Sequence, residues 1–145
     1  MIKKIIIASD HAGYDLKEAI KKHFSNVDIK ILDLGANDPD KAISYAQQGQ
    51  KLANTLLKTK HSLGIGICGT GIGISIAVNR FKGVRGAKVN TLEEAKLAKK
   101  HNDANVLIFG GRIVTPEKAI RMINHYLKED FEQGRHLDRI NQLDK

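Results

Sequence analysis

Residues 64–75 read Gly-Ile-Gly-Ile-Cys-Gly-Thr-Gly-Ile-Gly-Ile-Ser, and this stretch decides how the chain folds. An apolar run reaches Cys68 and then breaks into glycines, and residues 74–79 are typical of the start of a helix. A loop between a strand and a helix exposes backbone N–H groups beside the positive helix end, so it binds anions. The same field favours the thiolate of Cys68 and would make it a base or a nucleophile. The segment therefore predicts an enzyme site that meets developing negative charge.

Apolar runs alternate with helical patterns on both sides of this segment. Five strands are predicted, at residues 4–9, 28–32, 63–68, 84–89 and 105–109. Helices are predicted at residues 16–24, 43–57, 74–79, 91–100 and 115–127, with a marginal helix after Gly134. We therefore expect an α/β, three-layer Rossmann-like fold, in which helices flank a five-stranded parallel sheet and a helical tail follows at the C-terminus. The length predicts a single domain, residues 1–145.

Cysteine usage and the N-terminus predict the compartment. The chain of 145 residues has one cysteine and can form no internal disulfide, as is usual in a reducing compartment. The N-terminal apolar run ends at Asp10 and is too short for a secretion signal or a membrane span. We therefore expect a cytoplasmic protein with an intact N-terminus and no membrane partner.

The net charge of +8 is compatible with nucleic-acid binding, but its distribution favours a solvated basic surface. The lysines are scattered over predicted helices, and no stacking aromatic residues lie among them. They are Lys17, Lys21, Lys22, Lys58, Lys60, Lys96, Lys99 and Lys100. A small anionic substrate suits this surface better than a nucleic acid does.

In parallel α/β sheets, ligands bind beyond the carboxyl ends of the strands. This rule selects residues 9–11, 33–35, 68–73 and 110–112. Gly64, Gly66 and Gly69 also fit the dinucleotide pattern G-x-G-x-x-G. However, the first two lie inside a predicted strand, and no acidic residue follows about 20 positions later to bind a ribose. A P-loop lysine is absent too, so no nucleotide cofactor is expected.

Several residues near these strand ends have both a structural and a chemical interpretation. Cys68 is a buried thiol or a catalytic base. Asp10 is a helix N-cap or a hydroxyl ligand, and His11 is an exposed side chain or a phosphate ligand. His101 suits the negative end of a helix, but it is also the only other plausible acid or base.

Three late arginines extend the list of candidates. They are Arg112, Arg135 and Arg139. Arg135 and Arg139 lie one turn apart if the tail is helical, and two arginines on one face suit bidentate phosphate binding. A solvated tail is the alternative. No cysteine or histidine cluster has zinc spacing, so no metal is predicted.

Five motifs occur in order along nearly the whole chain: Ser9-Asp10-His11-Ala12-Gly13, Gly66-Ile67-Cys68-Gly69-Thr70-Gly71-Ile72-Gly73, His101-Asn102-Asp103-Ala104-Asn105, Gly110-Gly111-Arg112 and Gly134-Arg135-His136. Together they resemble the ribose-5-phosphate isomerase B family, which includes allose-6-phosphate and galactose-6-phosphate isomerases. The resemblance implies a metal- and cofactor-free aldose–ketose isomerase. Its substrates would be D-ribose 5-phosphate and D-ribulose 5-phosphate, in the non-oxidative pentose phosphate pathway.

The resemblance also implies a role for each matching residue. Cys68 is the base, and Thr70 handles the hydroxyl proton. Asp10 and His101 open the sugar ring. The remaining implied ligands are the backbone of Gly69, Gly71 and Gly73 for the enediolate, His11, Arg112, Arg135 and Arg139 for phosphate, and Tyr45 and Asn102 for sugar oxygens. Family members are dimers or dimers of dimers whose sites are shared between subunits, with His101 and the C-terminal arginines coming from the partner.

One position departs from the family, and three other functions remain open. Many members carry Asp-Tyr-Pro where this chain has Ser44-Tyr45-Ala46. Allose 6-phosphate is an alternative substrate, because a pocket rejects an added hydroxymethyl group only weakly. A non-catalytic phosphate- or nucleotide-binding module would use the same loop and tail. A cysteine hydrolase would need His101 beside Cys68.

Overall fold

Strands and helices alternate along the chain in a computed structural model that describes residues 1–145. The strands are β1 (Lys4–Ser9), β2 (Lys30–Asp33), β3 (Ser62–Cys68), β4 (Gly86–Lys88) and β5 (Val106–Gly110). The helices are α1 (Tyr14–Phe24), α2 (Tyr45–Leu57), α3 (Ile72–Val78), α4 (Leu92–Lys100), α5 (Pro116–Leu127) and α6 (Arg135–Ile140), and a short 3-10 helix (His11–Gly13) precedes α1. No helix is long and apolar enough to cross a bilayer.

All five strands are parallel and lie in the order β2-β1-β3-β5-β4. The chain leaves β1 for β2 on one side, whereas β3 pairs with β1 on the other side. The carboxyl ends of β1 and β3 therefore lie at the point where the winding direction reverses, which is where such sheets bind ligands. The predicted α/β fold is confirmed, including the parallel sheet and the helical tail.

Each face of the sheet carries its own layer of helices. Ile5 and Ile7 pack with α1, α4 and α5 on one face, whereas Ile6 and Ala8 pack with α2 and α3 on the other. This alternation follows from the two-residue period of a strand whose faces are both covered. The core is mainly aliphatic, and its buried aromatic members are Phe24, Phe109 and Tyr126.

The glycines of β3 allow side chains of the neighbouring helices and of β5 to pack closely against the strand. A Cβ on Gly66 would lie 3.2 Å from Leu52 and 3.4 Å from Ile74, and one on Gly64 would lie 2.9 Å from Val106. Small residues on this face thus let α2 and α3 approach the sheet closely. Gly64 and Gly66 lie within the strand, as predicted, which explains their spacing without a dinucleotide.

The prediction that Lys17 belongs to a solvated surface is wrong. Its side chain is 1% exposed, and its ammonium lies 2.8 Å from Asp33 and 2.8 Å from Glu18. Lys21 also donates to Asp33, at 2.6 Å. Burial alone would raise the pKa of Asp33, but hydrogen bonds from Lys17, Lys21 and the N–H of Gly35 hold it below its ordinary value. These contacts join α1 to the end of β2.

Candidate active site

A cavity of about 450 Å³ opens beyond the carboxyl ends of β1 and β3. Most of the residues predicted for catalysis and binding line it in a single protomer. They are Asp10, His11, Tyr45, Cys68, Gly69, Thr70, Gly73 and Arg112. Since they come from separate loops, the parallel sheet is what brings them together.

Cys68 is the last residue of β3, and the glycine loop starts directly after it. Its thiol is reduced, and the residue is 4% exposed. It packs with the α2–α3 layer of the core, so its position is fixed by the strand. A buried thiol beside this cavity can carry a proton once substrate excludes water.

The loop after Cys68 presents backbone N–H groups that have no acceptor within the chain. They belong to Gly69, Thr70, Gly71, Gly73 and Ile74. Gly71 caps α3 with φ +82°, a left-handed conformation that glycine adopts without strain. Its hypothetical Cβ would also lie 3.1 Å from the backbone of Phe109, so a larger residue would displace the loop. The loop therefore has the geometry of an anion hole.

Thr70 and Tyr45 place hydroxyl groups around this loop. Thr70 Oγ1 accepts from the N–H of Ile72 at 3.2 Å, which leaves its own hydrogen free to donate. The Tyr45 ring covers the first turn of α3, because a Cβ on Gly73 would lie only 2.5 Å from it. Ser44 caps α2 by accepting from Ala46 at 3.1 Å. This cap fixes the start of α2, whose first residue is Tyr45.

Asp10 and His11 follow β1 and face the same cavity. Asp10 is buried, and its carboxylate accepts from the N–H of Gly13 at 3.1 Å, so its capping role is present. His11 Nδ1 accepts from the N–H of Ile43 at 3.3 Å. This contact requires an unprotonated Nδ1 and assigns the ring hydrogen to Nε2, which is then a donor for a ligand.

Arg112 brings a positive charge beside the anion loop. Its N–H donates to the carbonyl of Gly69 at 3.0 Å, and the N–H of Gly111 donates to the carbonyl of Cys68 at 2.8 Å. The guanidinium lies over Gly69, whose hypothetical Cβ would be 2.8 Å from Nη1. The loop after β5 is therefore fastened to the loop after β3.

Five predicted residues do not line this cavity: Gly71, His101, Asn102, Arg135 and Arg139. Gly71 stands between two lining residues, Thr70 and Ile72, whereas the other four lie at the end of α4 or on α6. His101 is the C-cap of α4, as predicted from sequence. Arg135 and Arg139 are exposed on α6, so the predicted helical tail and their one-turn separation are confirmed. The structure thus divides the predicted site into two parts. The cavity part lies at the strand ends, and the tail part consists of His101, Asn102, Arg135 and Arg139. With His101 away from the cavity of Cys68, a cysteine–histidine hydrolase lacks its base within one chain.

The tail part also contains Glu132 and His136, to which sequence reasoning gave no role. The rings of His101 and His136 stack 4.2 Å apart, and Glu132 lies beside both. Burial lowers the pKa of His136, and the nearby His101, Arg135 and Arg139 lower it further. A hydrogen bond from Lys100 holds the pKa of Glu132 below its ordinary value. Glu132 and His136 are four residues apart, but Glu132 precedes α6, so no helical periodicity in the sequence pointed to this cluster.

Known proteins are similar to this chain in both sequence and fold. The family model described as Ribose/Galactose Isomerase matches residues 5–143. A probable ribose-5-phosphate isomerase B of Mycoplasma pneumoniae is 40% identical over 139 residues, which are 96% of this chain and 91% of that protein.

Solved structures give the same result. A ribose 5-phosphate isomerase of Thermotoga maritima has a TM-score of 0.94 at 38% identity and 97% coverage of both chains. Ribose-5-phosphate isomerase B of Mycoplasma genitalium, solved with bound ribulose-5-phosphate, has a TM-score of 0.91 at 39% identity, covering 97% of this chain and 93% of that one.

Proposed function

The chain belongs to the ribose/galactose isomerase family, and from that premise we propose that it interconverts D-ribose 5-phosphate and D-ribulose 5-phosphate. The thiol of Cys68 lies directly before a loop whose N–H groups have no acceptor in the chain, and this arrangement is the main support for the proposal. We assign the reaction to the non-oxidative pentose phosphate pathway. The unpaired cysteine fits a reducing compartment such as the cytoplasm.

Cys68 acts in this proposal as the carbon-acid base. Its thiolate removes the proton from C2 of the open-chain aldose, and the electron pair moves through the C1–C2 bond onto the carbonyl oxygen O1. The proton then returns to C1, while Thr70 assists the transfer of the hydroxyl proton between O2 and O1. The product is the ketose, and no electron leaves the substrate. A base of this kind contributes about 10²–10⁴-fold to the rate.

The glycine loop stabilises the enediolate. Removal of the C2 proton is difficult unless the oxyanion is stabilised as it forms. The N–H groups of Gly69, Gly71 and Gly73 are held by the fold before substrate arrives, so little reorganisation is needed. The positive end of α3 adds to this effect.

Phosphate binding supplies the positioning energy. His11 Nε2 and the guanidinium of Arg112 are the cavity's own donors to the phosphate. Tyr45 contacts a sugar oxygen. Binding the remote phosphate fixes the reacting carbon against Cys68, which saves entropy in the transition state.

A second subunit completes the site. We assign His101, Asn102, Arg135 and Arg139 to the cavity of a neighbouring copy in a homodimer or a dimer of dimers. Their absence from the cavity of their own chain supports this assignment. His101 would then act with Asp10 to open the furanose ring, and the two arginines would complete the phosphate site. Tyr45, Ile72 and Ile76 are half exposed around the cavity mouth, as expected for a surface that a partner covers.

The decisive assay measures ketose formation from ribose 5-phosphate in EDTA without added cofactor. We expect turnover by the wild type and a loss of about 10²–10⁴-fold in kcat for Cys68→Ser. The substitution should leave KM and thermal stability nearly unchanged, because it alters one atom beside an intact phosphate site. Equal turnover by Cys68→Ser would contradict the mechanism.

Allose 6-phosphate is the second substrate to assay. The cavity is wide enough for a six-carbon sugar, and an added hydroxymethyl group is only weakly rejected by size. A higher kcat/KM for allose 6-phosphate would reassign the substrate within the same mechanism. Turnover of neither sugar, together with a thermal shift on adding a nucleotide, would favour the non-catalytic binding module.

A further inference from the structure

A cluster of two imidazoles and one carboxylate lies outside the cavity, where the C-terminal tail packs on the end of α4. Glu132 Oε2 lies 3.7 Å from His101 Nε2 and 3.9 Å from His136 Nε2. One ligand atom from each of the three residues lies within 4.8 Å of the others. Nitrogen and oxygen donors in this number are the set that zinc-type ions prefer.

His136 has an unmet bonding requirement. Its Nε2 is buried and has no hydrogen-bond partner, and its side chain is 10% exposed. Burying an unpaired nitrogen is costly, so Nε2 of His136 is available to a ligand.

Contacts with Lys100 hold Glu132 in place beside the two histidines. Its Oε1 lies 3.1 Å from the ammonium of Lys100, and its backbone N–H donates to the carbonyl of Lys100 at 2.9 Å. The second oxygen, Oε2, makes no hydrogen bond and faces both imidazoles at distances too long for one. The carboxylate therefore offers one anchored oxygen and one available oxygen.

We propose that His101, Glu132 and His136 bind a divalent transition-metal ion of the zinc class, with water at the fourth position. Ligands at about 2.1 Å from a tetrahedral ion stand about 3.4 Å apart. The Glu132–histidine distances need to shrink by only a few tenths of an ångström to reach that value. The two rings are stacked with their planes 12° apart, so they must leave the stack and tilt toward each other before both Nε2 atoms can point to one ion.

The positive charges around the cluster oppose a cation without preventing it. Arg135 and Arg139 are exposed, so solvent and salt screen them. Lys100 uses Oε1 of Glu132 and leaves Oε2 to the metal. Magnesium would not bind, because it requires several oxygen ligands in an octahedron.

The ion would inhibit the isomerase, a consequence that rests on the proposed function. A metal on His101 Nε2 occupies the lone pair that accepts a proton during ring opening. It also fixes His101 to its own chain's tail and withholds it from the neighbouring cavity. Inhibition should therefore be reversed by EDTA.

Zinc binding is measured by calorimetry on the untagged assembled protein carrying Cys68→Ser, which removes the competing thiol. We expect one Zn²⁺ per chain and visible absorption bands with Co²⁺, whereas Mg²⁺ should produce neither. Glu132→Gln and His136→Gln should each weaken Zn²⁺ binding by about 10–100-fold or more. His125→Gln, a histidine of α5 outside the cluster, should leave the affinity unchanged.

The outcomes separate the two proposals. Absence of Zn²⁺ binding, or binding that survives both Glu132→Gln and His136→Gln, would overturn the metal site and leave the isomerase proposal intact. Binding that occurs only when Cys68 is present would overturn it too, because the thiol would then be the ligand. Specific Zn²⁺ binding, together with no ketose formation by the zinc-free wild type, would support the metal site and contradict the proposed isomerase.

Discussion

The loop after β3 and the tail around α6 are both parts of the candidate site, but they are built in different ways. The loop uses backbone N–H groups, and its shape depends on Gly71, whose left-handed backbone and close contact with Phe109 exclude a larger residue. The tail uses the long side chains of Arg135 and Arg139, which are exposed and have no fixed partner in the chain. Under the proposed function, the enediolate part forms within one subunit, whereas the phosphate part of the tail would acquire its geometry only on assembly.

A substitution in the tail should reduce activity more than one in the loop or one outside the site. Arg135→Ala removes a charge-assisted hydrogen bond to the phosphate, which is worth about 1.5–3 kcal/mol, so kcat/KM for ribose 5-phosphate should fall by about 10–100-fold. Thermal stability should not change, because the side chain is exposed. Arg121→Ala, on an exposed position of α5, is the matched control. An equal loss in both variants would mean that only general surface charge matters.

An intermediate effect is expected where the loop meets α2. In Gly73→Ala the new methyl group meets the Tyr45 ring at 2.5 Å and must push it aside. The ring is half exposed and can move, so stability should fall by about 1 kcal/mol or less while activity falls several-fold. Enzyme kinetics and thermal unfolding measure the two effects.

A double-mutant cycle tests the cause of that loss. In a Tyr45→Ala background the clash is absent, so Gly73→Ala should cost no further stability. An undiminished cost in that background would locate the effect in α3 itself.

The smallest effect on activity is expected from Asp33→Asn, which lies outside both parts of the site. The substitution leaves the buried ammonium of Lys17 with Glu18 as its only carboxylate, so the free energy of unfolding at pH 7 should fall by about 1–3 kcal/mol, with kcat unchanged. The pKa of Asp33 is lowered by folding, so its contribution is complete above the ordinary value of 3.8 and disappears as the pH falls below it.

The difference in stability between the wild type and Asp33→Asn should therefore vanish in acid. Asp28→Asn, an exposed neighbour, is the control and should behave like the wild type. A destabilisation of Asp33→Asn that stays constant down to pH 3 would exclude the ion pair as its cause.

Local patterns were enough to predict the loop part of the site. The strand, the glycines and the helix around Cys68 are adjacent in sequence, and the parallel sheet then places Asp10 and His11 beside them. Lys17 was misassigned because its partner Asp33 lies on another element and its neighbours are typical of a helix surface. The contacts of His101 with Glu132 and His136 depend on how the tail folds back on α4. No local pattern contains that information.

Subunit complementation between two weakened variants tests the shared site most directly. Cys68→Ser and His101→Asn are refolded together so that subunits exchange at random, and each variant refolded alone is the control. If each cavity uses Cys68 from one subunit and His101 from its partner, about a quarter of the cavities in a mixed dimer population regain both residues. The mixture should then recover about a quarter of the wild-type activity. Activity no higher than the average of the two variants would contradict the division of the site between subunits.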